Sequence, residues 1–269
     1  MQFRYDFSIS ELLLRVESPR ELQIPDNFRA FLLESAPTKK PDMILQFLFS
    51  PVSDGDREAG TMSVIDTVYG ESVLRQESSG RGSPCRIFIP PSFADTFCRN
   101  GNWLLYIPLP RMLLPFGRFF IHASAIKHQG KAYLFSAPSG VGKSTHAALW
   151  QQHFGAKLLN GDKALIEVRD GQCIAHGSPV AGSSGIYERD SAPIAAVYLL
   201  KQAKENRITP VSPRAAFMAL YGEAIKDKND TAFNRKLLDL ITGTFSCVPV
   251  RCLGCLPDKS AVECVLADR

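Results

Sequence analysis

The stretch Ala137-Pro138-Ser139-Gly140-Val141-Gly142-Lys143-Ser144-Thr145 constrains this chain more than any other, because few backbone geometries can use it. It follows Ala132-Tyr133-Leu134-Phe135-Ser136, an apolar run that reads as a strand. It leads into Thr145-His146-Ala147-Ala148-Leu149-Trp150, the body of a helix expected from Ser144 to about His153. A strand, a glycine-rich loop and a helix, in that order, are the context of a phosphate-binding loop. Gly140 and Gly142 can take positive φ and let backbone N–H groups turn inward to an anion. The N-terminus of the following helix adds its dipole. Lys143 supplies a point charge for β and γ phosphates. The Ser144 hydroxyl is placed for Mg²⁺, which prefers oxygen ligands and keeps several waters. The expected binding residues are Ser139, Gly140, Val141, Gly142, Lys143, Ser144 and Thr145, and the expected ligand is Mg·ATP. The usual pattern opens on glycine where this chain has Ala137, a position that mainly shapes the turn.

A metal-bound triphosphate also needs a carboxylate. Asp162, in Leu158-Leu159-Asn160-Gly161-Asp162-Lys163, ends the apolar segment that follows the helix. In open α/β sheets ligands gather at the carboxyl ends of strands, which would place Asp162 near Ser144. The alternative is an Asn-Gly-Asp turn with no ligand.

The rest of the chain divides in texture. Residues 1–115 read as a β-rich N-terminal region, with strands at Tyr5–Ile9, Met43–Phe49 and Arg86–Ile89. Pro51–Asp56 and Ser78–Pro84 read as loops. Residues 116–269 carry the phosphate loop. There Phe119–Ile126 reads as one strand, and Lys157-Leu158-Leu159 and Ala164–Val168 as a strand pair. A hairpin through Asp170-Gly171 leads to Cys173-Ile174-Ala175-His176, with Ala195–Leu200 as a further buried strand. Ser212–Ile225 and Asn229–Thr242 are the last helix candidates. Gly177–Ile186 is a second Gly- and Ser-rich loop, readable either as a flexible surface loop or as a flap over the phosphates.

Composition limits the partners. The 269 residues are 45% hydrophobic and 22% charged, and a net charge of +4 with dispersed Lys and Arg gives no support for nucleic acid. No run of about 18 apolar residues occurs, and the first residues lack the pattern of a signal peptide, so a cytoplasmic protein without a membrane segment is expected. The seven cysteines then read as reduced thiols. Cys252-x-x-Cys255 has zinc-knuckle spacing, but Val248, Val250 and Cys252 alternate as in a half-buried strand, where Cys is a small hydrophobe.

Taken together, Phe120-Ile121-His122-Ala123-Ser124, the phosphate loop and Asn160-Gly161-Asp162-Lys163 resemble the HPr kinase/phosphorylase family. Gly177-Ser178-Pro179, Ser191-Ala192-Pro193, Glu205-Asn206-Arg207-Ile208, Val248-Pro249-Val250 and Pro257–Val262 add to the likeness. The resemblance covers roughly residues 118–265 and is nearer to divergent members of that group. It implies an α/β (α+β) fold: an HPr kinase/PEP carboxykinase-like P-loop core with a mixed β-sheet, plus the smaller β-rich N-terminal region. It implies an ATP- and Mg²⁺-dependent phosphotransferase. The catalytic residues would be Asp162, His122 and Lys143, and the metal ligands Ser144 and Asp162. The acceptor would be a hydroxyl of a peptide, a protein or a small molecule, and homo-oligomerisation stays open. The family's first of two adjacent aspartates falls on Gly161, so one carboxylate stands where that mechanism uses two. A rival is a non-catalytic ATP- or GTP-binding partner of a peptide-modification system. A carboxykinase-like lyase is disfavoured, because no His/Lys/Asp set for a transition metal stands out.

Overall fold

The computed structural model describes residues 2–50, 62–68, 71–77, 83–138, 140–180, 185–228 and 230–268. They form a mixed α/β structure in two compact units, Met1–Leu109 and Pro110–Arg269. The expected loop Pro51–Asp56, most of Ser78–Pro84, Ser139, and part of Gly177–Ile186 lie outside the described residues.

The first unit is built on one six-stranded sheet. Its strands are β1 (Phe3–Ile9), β2 (Leu12–Ser18), β3 (Met43–Phe49), β4 (Met62–Val68), β5 (Glu71–Glu77) and β6 (Pro84–Ile89), in the spatial order β1-β2-β3-β6-β5-β4. Strand β2, not expected from the sequence, is the antiparallel partner of β1 through a turn at Ser10 and Glu11, both at positive φ. Two short helices, α1 (Asp26–Arg29) and α2 (Ala94–Cys98), bring Phe28 and Phe97 onto an aromatic core with Phe7, Phe47 and Trp103. The Trp103 indole donates to the Gln23 carbonyl at 2.9 Å, so its one polar atom is satisfied inside that core.

A short helix α3 (Leu109–Leu113) opens the second unit. Its strands are β7 (Arg118–His122), β8 (Ser124–His128), β9 (Lys131–Ser136), β10 (Lys157–Asn160), β11 (Lys163–Arg169), β12 (Gln172–His176), β13 (Ser191–Gln202), β14 (Arg207–Pro210) and β15 (Val250–Cys255). Its longer helices are α4 (Lys143–Phe154), α5 (Pro213–Glu223), α6 (Thr231–Cys247) and α7 (Lys259–Ala267). The nine strands run in the path β10-β8-β9-β13-β12-β11-β7, with β15 on β13 and β14 on β15. The pairs β9–β13 and β13–β15 are parallel, and the others are antiparallel.

Alternation along the strands separates two cores. Ala132 and Leu134 of β9 face one cluster, closed by Leu220 of α5 and Phe233, Leu237 and Ile241 of α6. Phe135 faces the other, closed by Ala147 and Trp150 of α4 and Val262 and Val265 of α7. In β13 the phase changes: Ala192 and Ile194 share a face with Val197, while Ala196, Tyr198 and Leu200 take the opposite one. The register shift between Ile194 and Ala196 is the bulge that makes this so.

The stretch expected as one strand over Phe119–Ile126 is two. Ala123 interrupts it, and its N–H donates to the Asp162 carbonyl at 3.1 Å rather than to a ladder. Strands β7 and β8 are consecutive in sequence yet lie toward opposite ends of the strand path, as do β10 and β11. The sheet therefore curls until its ends meet along a seam at Ala123 and Asp162. Helix α7, beyond the last expected helix, is started by the Asp258 carboxylate, which accepts from the Ser260 N–H at 2.9 Å.

Candidate functional site

The glycine-rich loop joins β9 to α4 as expected. Gly140 has φ +81° and Gly142 φ +120°, both in the region that disfavours a side chain, and a Cβ at either would meet nothing within 4 Å. The requirement for glycine is thus conformational, and the space in front of both residues is open. The Val141 N–H donates to the Pro138 carbonyl at 3.4 Å, closing the turn. Gly142 is the N-cap of α4 and makes no side-chain cap, so the N–H groups of the first helical turn have only a ligand or water to bind. Ser144 and Thr145 are exposed on that turn. Lys143 is half-buried and its ammonium donates to the Ala137 carbonyl at 2.6 Å. Of the residues expected to bind, Ser139 alone lies outside the described residues.

His122 and Asp162 meet at the seam of the curled sheet. His122 ends β7 directly opposite Lys163, the first residue of β11. Its Nδ1 stands 3.9 Å from the Asp162 carboxylate. The His122 side chain is 47% exposed, which is inconsistent with a satisfied core histidine. Ser136, the last residue of β9, donates its hydroxyl to the His122 carbonyl at 3.1 Å. The backbone at His122 is thus tied to the Ser136 hydroxyl, one residue before Ala137, whose own carbonyl accepts from the Lys143 ammonium.

Asn160, which sequence reasoning passed over, sets the Asp162 turn. It is fully buried, and its Oδ1 accepts from the N–H groups of Asp162 (3.0 Å) and Lys163 (2.7 Å). Its Nδ2 donates to the Val180 carbonyl at 2.8 Å and reaches Ser178 Oγ at 3.4 Å. One side chain thereby holds both the carboxylate turn and the start of the second Gly/Ser loop. The signal was present in Asn-Gly-Asp, since Asn readily bonds backbone two residues on. The same loop is strapped at Gly177, where a Cβ would lie 1.7 Å from the Glu188 carbonyl oxygen.

Beneath the loop, His146 of α4 is 3% exposed and packs on Phe135 with ring centroids 4.3 Å apart. Its Nε2 lies 3.1 Å from the Trp150 indole nitrogen, which can only donate, so Nε2 accepts and the proton sits on Nδ1. Burial pushes its pKa down from 6.5 to about 4. Its Nδ1 has no hydrogen-bond partner.

Elsewhere in this unit, the buried Glu167 carboxylate binds Arg118 at 2.9 Å and His176 at 2.8 Å. This ties β7, β11 and β12 together and meets the rule that buried charge is paired. Cys252 and Cys255 lie on β15, an odd number of residues apart, so their side chains leave opposite faces of the strand. Among the described residues no cluster of three or more His, Cys, Asp or Glu is placed to hold a metal, and no helix is long and apolar enough to cross a membrane.

No protein-family model matches the chain, and no curated protein does. Among solved structures the chain is similar to the Hpr(Ser) kinase/phosphatase from Coxiella burnetii. The two are 14% identical, the alignment covers 55% of this chain and 93% of that one, and the TM-score is 0.34.

Proposed function

We propose that the second unit is a P-loop nucleotide-binding domain. More particularly, we read it as an ATP-dependent kinase related to HPr kinase, transferring the γ-phosphoryl group to a hydroxyl of a peptide, a protein or a small alcohol. The observation that carries this reading is the open glycine loop capping α4 with a histidine–carboxylate pair tied to its base. A phosphoryl transfer asks mainly for positioning and charge stabilisation, and these residues supply both. The backbone of Gly140–Gly142 and the first turn of α4 bind the phosphates. Lys143 exchanges the Ala137 carbonyl for phosphate oxygens and offsets their charge. Mg²⁺, when bound, neutralises the phosphates; the oxygens fit to hold it are the Ser144 hydroxyl and the Asp162 carboxylate. As the acceptor oxygen bonds to the γ-phosphorus, the bridging bond to the β-phosphate breaks and ADP leaves. The one carboxylate, Asp162, serves either as metal ligand or as acceptor of the hydroxyl proton, with His122 beside it to assist.

The runner-up is a nucleotide-binding partner protein without transfer activity, favoured by Gly161, which stands where the resembled family has its first aspartate. One experiment separates the two: ADP release from Mg·ATP with candidate acceptor peptides, for the wild type and for Lys143→Ala and Asp162→Asn. Lys143→Ala should weaken ATP binding at least tenfold, about 1.4 kcal/mol. Asp162→Asn should lower transfer by about two orders of magnitude while leaving metal-free nucleotide binding nearly unchanged. Tight Mg·ATP binding with no acceptor-dependent ADP release would favour the partner-protein reading. Unchanged ATP binding by Lys143→Ala would remove both.

A further inference from the structure

We infer that the nucleotide's base sits in the cavity beside α4 and is read there by His146. This rests on the proposed nucleotide site and extends it to the part of the ligand that the phosphate loop does not touch. The cavity, about 390 Å³, opens directly from Gly140 and Gly142 and runs along α4 past Thr145, His146 and Leu149. Its other wall is made by Gln202 and Ala203, just where β13 ends, and by Leu256 and Pro257 after β15. The volume falls within the range of small-molecule sites. A group entering from phosphates held at Gly140–Gly142 would meet the apolar side chains of Leu149, Ala203, Leu256 and Pro257, with His146 and Gln202 as polar groups among them.

Within this lining His146 is the anomaly. The residue is buried, and its Nδ1 has no hydrogen-bond partner. The Trp150 indole fixes the tautomer, so the free position is an N–H donor. A buried donor left unpaired is costly unless a ligand supplies the acceptor. The N1, N3 and N7 ring nitrogens of adenine only accept, and they are what this donor fits. The Gln202 amide stands at the rim, where it now makes a 3.4 Å contact from Nε2 to the Val141 carbonyl and is exposed. It can both donate and accept, which suits the exocyclic edge of a base.

Inorganic tripolyphosphate separates this inference from the phosphate site, because it carries the charge without the base. Binding of ATP and of tripolyphosphate is measured by calorimetry on the full chain. The variants are His146→Gln, His146→Asn and Ala203→Phe, each checked for an intact thermal transition. Gln places its amide where Nε2 lies, and Asn places its amide where Nδ1 lies. We expect wild type to bind ATP at least tenfold more tightly than tripolyphosphate. His146→Gln should lose about tenfold for ATP and little for tripolyphosphate, as removal of one buried hydrogen bond does. His146→Asn should keep more ATP affinity than His146→Gln. Ala203→Phe, an exposed site at the cavity wall, should exclude ATP but spare tripolyphosphate. Equal affinity of wild type for the two ligands, or a parallel loss of both in Ala203→Phe, would overturn the base site while leaving the phosphate site standing. If neither ligand binds wild type, the nucleotide reading and this inference fall together.

Discussion

The buried neutral His146 makes the second unit acid-labile over a defined range. In the unfolded chain the imidazole titrates near 6.5; in the fold, burial between Phe135 and Trp150 holds it at about 4. Between these values the unfolded state binds the extra proton, so stability is full above pH 6.5 and is lost as pH falls toward 4. Each pH unit of that gap corresponds to about 1.36 kcal/mol, giving about 3 kcal/mol in all, of which about 2 kcal/mol is lost by pH 5. Set against a typical domain stability of about 5–15 kcal/mol, that loss is readily measured. Urea denaturation at pH 7, 6 and 5 would be followed by Trp150 fluorescence in a Trp103→Phe background, with and without His146→Gln. Gln can still accept from the Trp150 indole but does not titrate. The histidine protein should lose about 2 kcal/mol more than the Gln variant between pH 7 and 5. Parallel pH profiles would refute the assignment of a neutral, desolvated imidazole.

Other perturbations test the scaffold of the site. Asn160→Ala removes the acceptor for the Asp162 and Lys163 N–H groups, and should cost about 2–3 kcal/mol; it should also lower transfer more than nucleotide affinity, which a paired calorimetric and kinetic measurement would show. Gly177→Ala forces a Cβ against the Glu188 carbonyl and should destabilise by about 3 kcal/mol or more by chemical denaturation; a loss below about 1 kcal/mol would contradict that close approach. Asp230 caps α6 by accepting from the Phe233 N–H at 2.9 Å, and this bond, aided by Arg111, holds its carboxyl below the usual range. Its contribution is therefore present above the ordinary carboxylate range and lost as pH falls below it, and Asp230→Ala should cost about 1 kcal/mol at neutral pH, read as a lowered Tm.

What the sequence made legible was local. The strand–loop–helix around Gly140 and Gly142, the hairpin at Asp170-Gly171, and the buried strand of β13 are specified by residues close together in the chain, so pattern and turn chemistry suffice. The seam was not legible. Nothing between Phe119 and Ile126 announces a break, because Ala123 leaves the strand for a partner at Asp162, and only the closure of the sheet brings the two together. The role of Asn160 was hidden for the same reason: half of its bonds reach Val180 and Ser178, far along the chain. Helix α7 has an ordinary N-cap in Asp258, but with only nine residues its apolar stripe of Ala261, Val262 and Val265 is too short to stand out by period. His146 and Trp150, one helical turn apart, could have been paired on spacing alone.

The double allegiance of β13 has a consequence for the order of assembly. Val197 is hydrogen-bonded in register beside Leu134 of β9, made long before it, and beside Val250 of β15, made long after it. Both ladders are parallel, so neither can be nucleated by a tight turn, and each loop must be closed before its contacts repay the lost chain entropy. During synthesis the edge of β13 that β15 will cover stays bare while α5 and α6 are still emerging. For that interval the apolar strand is open to pairing with a neighbouring chain. The second unit should therefore fold slowly and late, with its rate set by the arrival of Val250–Cys255 and not by the helix that carries the phosphate loop.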